Sequence, residues 1–216
     1  MTLPPTRGWR IDLALWAPLL IFAAGLLCMK LAPLLTLPTV LILLWAAPPV
    51  GHLADKLSLN AYTFHPLRQG KNLFVIYLAG IPLTVLWIVQ LRYLDISFST
   101  VQPAAALLRS ATGWDLVGAL TLILVTGPLA EEILFRRMLY DLFLRLAGPR
   151  IGLVLTAAGF SAMHFFLVGF PILFVCGLIF QLAYLRSGSL AVSMELHILY
   201  NLVGVTSMLL TGGAGA

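Results

Sequence analysis

The sequence predicts an all-α fold: a polytopic transmembrane helix bundle of about seven spans, with a polar site between the fourth, fifth and seventh. Composition is the first reason. Of the 216 residues, 61% are hydrophobic and 10% are charged, and the mean hydropathy is +1.01, whereas soluble domains are about half apolar and a quarter charged. The second reason is that the apolar residues form runs of about 20, the length that a helix needs to cross the hydrocarbon. A lipid bilayer is therefore the expected surrounding.

Seven apolar runs are long enough to be spans, and turn motifs separate the later ones: AGPR at 147–150, VGFP at 168–171 and RSGS at 186–189. The fourth run is long and becomes amphipathic near its end, which predicts a helix that protrudes from the bilayer. We expect one compact domain. The predicted spans are 11–29, 33–50, 72–91, 114–140, 151–169, 171–186 and 189–210.

Basic residues divide unequally between the two sides that this span order defines. With Arg136 left aside, nine lie on the side of the N-terminus and three on the other. Cytoplasmic loops are enriched in Lys and Arg, so we expect a multi-pass integral membrane protein with a cytoplasmic N-terminus and an external C-terminus. The net charge of +5 does not predict nucleic acid as a partner, because no segment forms a continuous basic stripe. The nine are Arg7, Arg10, Lys56, Arg68, Lys71, Arg137, Arg145, Arg150 and Arg186, and the three are Lys30, Arg92 and Arg109.

Charged residues inside the fourth span are the first candidates for function. Glu132 and Arg136 are four residues apart, so they share a helix face and can form an ion pair. Glu131 points about 100° away and gains no partner from its own helix. It lies about 25 Å along the helix from Trp114. Ionisable groups at such depth are costly, which makes Glu131 a functional candidate.

Polar residues recur in two later spans: His164 in the fifth, and His197 and Asn201, four residues apart, in the seventh. A carboxylate beside an imidazole can take a proton from water and direct hydroxide at a carbonyl. A second imidazole and an amide N–H can stabilise the oxyanion. The set therefore predicts hydrolysis of a peptide bond within the bilayer. The alternative is that these groups only join helices through hydrogen bonds.

Zinc is a second alternative at the same place. Glu131, His164 and His197 form a His₂Glu set, which could hold this metal. Histidine ligands usually donate their other ring N–H to a carboxylate or a carbonyl. No second carboxylate for either histidine is apparent in the sequence. We therefore predict a site that works without a metal or another cofactor.

Three motifs lie in order along these spans: EEILFR at 131–136, FSAMH at 160–164 and HILYN at 197–201. In this pattern the chain resembles the CPBP family, the CAAX-protease and bacteriocin-processing group that includes the Rce1-type prenyl endopeptidases. The resemblance covers about residues 114 to 210. It implies a catalytic core at 114–211 with about four spans, preceded by a region without motifs at 1–113 with about three spans.

The resemblance also implies roles. Glu131 and His164 would activate water in a glutamic-type intramembrane protease, and His197 and Asn201 would bind the oxyanion. The supporting residues would be Glu132 and Arg136, which organise the site, and Phe160, which packs beneath His164. The active site would then lie between the fourth, fifth and seventh spans.

Glu195 departs from the family's pattern, because an apolar residue is expected two positions before the third motif. We expect it to be solvated near the interface, or else to pair with Arg186 or with a substrate group.

Two readings from other classes stay open: a non-catalytic immunity or scaffold protein of the same family, and a transporter that uses the buried carboxylate as a proton relay. A short chain without organelle signals favours a prokaryotic plasma membrane. The expected substrate is a membrane-associated peptide or protein, whose identity the residues do not select.

Overall fold

The computed structural model describes residues 65–211, and this part of the chain consists of helices and loops without a strand. The all-α class is therefore confirmed here. The predicted spans 11–29 and 33–50 lie outside the described residues, and so does the N-terminus whose cytoplasmic location was predicted. The division of the chain at residue 113 stays a prediction.

The first described helix, α1, is Pro66–Tyr93. It begins earlier than the predicted span at 72–91, because Pro66 suits the first turn of a helix, where a missing N–H costs nothing. The short helix α2, Pro103–Ser110, follows and again begins at a proline. Sequence patterning missed α2, since eight residues are too few to show a membrane-span pattern.

The predicted fourth and fifth spans form one helical path of 51 residues, Gly113–Met163. Two π-helical segments interrupt it, and they lie on either side of the two adjacent glutamates. Such segments are rare in proteins, and those that occur often lie at functional sites. In order, the path contains α3 Gly113–Thr121, the first π segment Leu122–Thr126, α4 Gly127–Glu132, the second π segment Ile133–Leu139 and α5 Tyr140–Met163.

Within α5 the chain reverses direction at Gly148, as the turn motif at 147–150 predicts. Gly148 has φ 80° and ψ 174°, a conformation that glycine adopts at little cost. A Cβ placed on Gly152 would lie 3.0 Å from the backbone nitrogen of Leu144, although residues eight apart in a straight helix are about 12 Å apart. The path is therefore a helical hairpin, and its two arms correspond to the two predicted spans.

The last two helices agree closely with the predicted spans 171–186 and 189–210: α6 is Phe170–Ser187 and α7 is Leu190–Thr211. Gly188 joins them with a left-handed φ of 69°. Four helices of the described part are long and apolar enough to cross a membrane, counting the Gly113–Met163 path as one. The total of seven spans stays a prediction.

Close packing brings the helices of the site together. A Cβ on Gly177 of α6 would lie 2.9 Å from the Cα of Ala157 in α5, so the two backbones nearly touch. Small residues allow such close approach between helices in membranes. The main core cluster joins residues of α1, α4, α5, α6 and α7, with Phe160 and Phe180 almost fully buried at its centre.

Three long-range hydrogen bonds identify the ends of this bundle. At the first end, the start of α1 meets α7, where the Gln69 side-chain amide donates to the Val192 carbonyl (3.0 Å) and to the Glu195 carboxylate (3.1 Å). At the second end, the Trp87 indole N–H donates to the Leu167 carbonyl (2.8 Å). Glu195 thus has an amide partner on α1, which neither expectation for this residue named.

Candidate active site

The carboxylate of Glu131 faces both histidines across equal distances. Its Oε2 atom lies 3.8 Å from Nε2 of His164 and 3.8 Å from Nε2 of His197. Glu131 lies on α4, His164 follows the last residue of α5, and His197 lies on α7; these positions belong to the predicted fourth, fifth and seventh spans. The structure therefore brings together three of the predicted site residues around one point.

A gap separates these three atoms. At 3.8 Å they are too far apart for a direct hydrogen bond. Oε2 of Glu131 is buried, and no hydrogen-bond partner for it is found within residues 65–211. A small molecule lying about 2.8 Å from each atom would bridge them, as ordered water does in other wet sites. Each pair of Glu131 and a histidine is therefore spaced for one bridging water.

The outer nitrogen of each imidazole is already engaged. Nδ1 of His164 lies 2.7 Å from the Phe160 carbonyl oxygen, and Nδ1 of His197 lies 3.0 Å from Oε1 of Glu132. A carbonyl and a carboxylate accept hydrogen bonds only, so both Nδ1 atoms must donate. In the neutral rings Nε2 is then the acceptor. Three proton acceptors thus converge on one gap.

The contact between His197 and Glu132 corrects one sequence expectation. The sequence suggested no carboxylate partner for either histidine. His197 has one, the carboxylate of Glu132. Glu132 and His197 are 65 positions apart, and only the packing of α7 against α4 brings them together. A carboxylate in this position fixes the tautomer and the orientation of an imidazole.

Glu132 is fully buried, and donors surround it. Arg136 binds it with two bonds, Nε to Oε2 at 3.0 Å and Nη2 to Oε1 at 3.1 Å. The hydroxyl of Ser193 donates to Oε2, and His197 donates to Oε1. An ionised carboxylate has about four acceptor positions, and four donors face this one. The predicted ion pair between Glu132 and Arg136 is confirmed. It holds in place the carboxylate that accepts the hydrogen bond from His197.

Two phenyl rings form the floor of the site. The Phe160 ring lies 4.9 Å from the His164 ring, measured between centroids, which confirms that Phe160 packs against His164. The Phe180 ring stacks on His197 at 4.8 Å and 29°. The Arg136 guanidinium lies 5.1 Å from the centre of the Phe160 ring and 5.7 Å from that of Phe180, so cation–π contacts help to stabilise a fully buried charge.

Asn201 is engaged differently from the prediction. Its Nδ2 donates to the Ile123 carbonyl in the first π segment, at 2.8 Å. A side-chain amide has two N–H donors, so this bond fixes the side chain and uses only one of them. Asn201 also lines the same cavity as Glu131. Its role at an oxyanion stays a prediction.

A cavity of about 730 Å³ adjoins the three acceptors. It extends toward the second end of the bundle, where α2 and the C-terminal part of α7 contribute its wall. Most lining side chains are apolar, which suits an apolar ligand segment. Among the lining residues are Leu107, Leu108, Phe165, Val205, Met208, Tyr77, Cys176 and Tyr200.

The zinc alternative requires a tighter arrangement than this one. Zinc lies about 2.0–2.2 Å from N and O ligands, so two ligands of one tetrahedral ion are about 3.3 Å apart. Glu131 is 3.8 Å from each histidine. Among the described residues, no group of three His, Cys, Asp or Glu is arranged for a metal ion. The same three acceptors would become ligands if they moved closer, so metal independence stays a prediction.

Sequence reasoning missed two supporting residues, Ser193 and Phe180. Ser193 precedes His197 by four positions on α7, the spacing of one helix face, so that signal was present in the sequence. Phe180 had no such signal, because one phenylalanine in an apolar helix resembles any other. Neither belongs to the three motifs.

Comparisons with known proteins cover the part of the chain that contains these residues. Residues 113–203 match the family model of the type II CAAX prenyl endopeptidase Rce1-like proteins. The membrane-embedded CAAX protease MroQ of Staphylococcus aureus (strain USA300) is 36% identical over 83 residues, which cover 36% of this chain and 34% of that protein. The chain thus spans about a third of the length of this curated relative. No solved structure matches.

Proposed function

We propose that this protein, whose residues 113–203 match the Rce1-like family as the three motifs indicated, is an intramembrane endopeptidase of the glutamic type. The observation that supports this most is the gap between Glu131, His164 and His197. Glu131 Oε2 lies 3.8 Å from each imidazole there, and a water in this gap can donate its two hydrogens to Glu131 and His164 while it lies beside His197.

In the proposed reaction Glu131 and His164 act on that water. One O–H bond breaks, and its proton moves to the Glu131 carboxylate while His164 Nε2 accepts a hydrogen bond from the other O–H. The water oxygen then attacks the carbonyl carbon of the peptide bond. When the C–N bond breaks, the proton on Glu131 passes to the leaving amine. Glu131 is thus general base first and general acid second.

The negative charge on the carbonyl oxygen needs donors at the moment of attack. The second N–H of Asn201 is one proposed donor. His197 is the other: Nδ1 already donates to the Glu132 carboxylate (3.0 Å), so Nε2 donates in the form of the enzyme whose His197 ring has taken a second proton from solvent before the attack, with Glu132 as its counter-charge. Glu132 would thus orient His197 and stabilise its positive charge, as the aspartate of a Ser-His-Asp triad does for its histidine.

The proposed substrate is a membrane-associated peptide or protein. Its reacting bond would reach Glu131 through the cavity of about 730 Å³, whose wall is largely apolar. Apolar side chains beside the scissile bond, or a lipid group attached there, would gain free energy by leaving water for that wall. The prenyl substrates in the name of the matching family fit the same description.

The test uses the full chain in lipid nanodiscs with two probes: a farnesylated CAAX peptide and an unmodified apolar peptide of about 20 residues. Products are identified by mass spectrometry. We expect the wild type to cut at least one probe, and Glu131→Gln and His164→Ala to abolish cleavage while the protein still inserts. The matched control is Glu195→Gln, which removes a carboxylate of α7 that does not line the cavity and should leave cleavage intact.

Three results would count against the proposal. These are uncut probes with the wild type, cleavage that persists in both site variants, and an equal loss in Glu195→Gln. The non-catalytic alternative predicts instead that Glu131→Gln, which is nearly isosteric, keeps the biological phenotype of the wild type.

A further inference from the structure

Ser193 occupies an unusual position beside the site. It lies on α7, is fully buried and does not line the cavity. Its hydroxyl lies within hydrogen-bond distance of two acceptors on two other helices: Oε2 of Glu132 in α4 and the carbonyl oxygen of Phe180 in α6, the latter at 2.8 Å. A serine hydroxyl has a single hydrogen, so the two acceptors share it in a three-centre hydrogen bond.

The first acceptor connects Ser193 to His197 through a carboxylate. Glu132 holds Nδ1 of His197 through its other oxygen, Oε1, at 3.0 Å. The direction of that bond depends on the rotation of the Glu132 carboxylate group. Arg136 constrains this rotation from one side, and Ser193 constrains it from the α7 side.

The second acceptor connects Ser193 to His197 through an aromatic ring. The Phe180 side chain stacks on the imidazole of His197, with centroids 4.8 Å apart and an angle of 29°. Ser193 also binds the backbone carbonyl of Phe180. This bond fixes the position of Phe180 along α6 relative to α7, and therefore relative to His197. One hydroxyl thus contacts both groups that support the ring: the carboxylate at its edge and the phenyl at its face.

We propose that Ser193 is a positioning residue that sets the orientation and tautomer of His197. It contacts neither substrate nor the reacting atoms, so it acts only through Glu132 and Phe180. The inference rests on the proposed function for its kinetic readout, but the state of the His197 ring can be measured whether or not the protein cleaves a peptide.

Loss of the Ser193 hydroxyl should change the orientation and the tautomer of the His197 ring. In Ser193→Ala, Oε2 of Glu132 keeps Arg136 as its donor, while the Phe180 carbonyl loses its side-chain donor. The carboxylate can then rotate, and the ring is free to tilt or to move its proton from Nδ1 to Nε2. Removal of one hydrogen bond to a charged group typically changes a rate or an equilibrium by about 10- to 100-fold.

The experiment measures nitrogen-15 signals of labelled histidine in the full chain in bilayers by solid-state NMR. Only four histidines are present, and the signal of His197 is identified by its absence in His197→Gln. We expect one tautomer with the proton on Nδ1 in the wild type, and a mixture or a broadened signal in Ser193→Ala. The matched control is Thr156→Val, which removes a buried hydroxyl bound to the Gly152 carbonyl at 2.7 Å and should leave the signal unchanged.

Kinetics in nanodiscs provide the second readout. We expect Ser193→Ala to lower kcat by about 10-fold or more with little change in KM, and Thr156→Val to change neither. Should Ser193→Ala not fold, Ser193→Cys keeps a weaker donor in place and should show a smaller shift of the same signal. An unchanged His197 signal in a folded Ser193 variant overturns the inference. A wild type that does not cleave overturns the proposed function instead, and leaves the NMR comparison valid.

Discussion

Glu131 and Glu132 are adjacent in the chain, yet their carboxylates have opposite surroundings. Four donors face Glu132, whereas Oε2 of Glu131 has no hydrogen-bond partner among residues 65–211. The offset of about 100° between neighbouring positions of a helix produces this difference. One carboxylate turns toward the α7 interface and holds the structure, and the other turns toward the cavity.

The buried pair of Glu132 and Arg136 predicts a strong dependence of stability on both partners. Arg136→Met should lower the free energy of unfolding by about 3–5 kcal/mol, because it leaves a buried carboxylate without its main counter-charge. The double variant Glu132→Leu with Arg136→Met should recover much of that loss. Thermal or SDS unfolding of the purified protein measures both. A double variant less stable than Arg136→Met would contradict the explanation.

Asn201 is predicted to act on the rate and not on substrate binding. Asn201→Ala should lower kcat by about 100- to 1,000-fold, the usual cost of losing one donor at an oxyanion, with KM nearly unchanged. Cleavage kinetics in nanodiscs measure the two constants. Asn72→Ala serves as control, since Asn72 donates to Gln69 at the first end of the bundle (3.3 Å), away from the cavity. A rise in KM alone would assign Asn201 to binding.

How far the sequence could predict this site depends on the kind of residue. Glu131, His164 and His197 were predictable, because ionisable groups inside apolar spans are costly and therefore conspicuous. Phe180 was not, since it is an ordinary residue of a membrane helix and gains its role only where α6 packs against α7. Ser193 had one signal, its position four residues before His197, but its partner on α4 is set by the packing of α7 against α4. The π segments beside the glutamates were not predictable either, because the spacing of apolar residues does not distinguish a short π segment from the α-helix around it.

The fold shows the same division. The reversal at Gly148 was marked by a glycine and a proline in the turn motif, and such residues report backbone geometry directly. The helix α2 had no comparable signal, although it forms part of the cavity wall. Its contribution depends on contacts of Leu108 with Ala119 and Val205, which come from α3 and α7.

The cavity can be tested at Gly204, which lines it on α7. A Cβ added there would meet no atom of residues 65–211 within 4 Å, so a larger side chain would extend into space that these residues leave open. Gly204→Leu should therefore raise KM for the bulkier farnesylated probe more than for a smaller apolar peptide, with stability retained. Gly118→Leu is the control, because a Cβ on Gly118 would also meet no atom of the described part of the chain within 4 Å, while Gly118 does not line the cavity. An equal effect on both probes would contradict the assigned path.

The hairpin turn predicts opposite effects of one substitution at two glycines. Gly148→Ala should destabilise the protein by about 1–2 kcal/mol, because a residue with a Cβ is strained at positive φ. Gly118→Ala, inside α3, should be neutral or should stabilise by up to about 1 kcal/mol through helix propensity. Thermal unfolding in one detergent compares the two. Equal stability of both variants would mean that the turn at 148 does not require glycine.

Chelation decides between the water mechanism and the zinc alternative. With water held by Glu131, His164 and His197, we expect cleavage to survive dialysis against 1,10-phenanthroline, and elemental analysis to find no zinc in proportion to protein. Zinc bound by the same three residues predicts loss of activity on chelation and recovery on addition of Zn²⁺. Because phenanthroline can also inhibit by binding to an apolar cavity, its non-chelating isomer 1,7-phenanthroline is the control. Activity that is lost only with the chelating isomer, and that returns with zinc, would replace the glutamic mechanism by a metal-dependent one at the same residues.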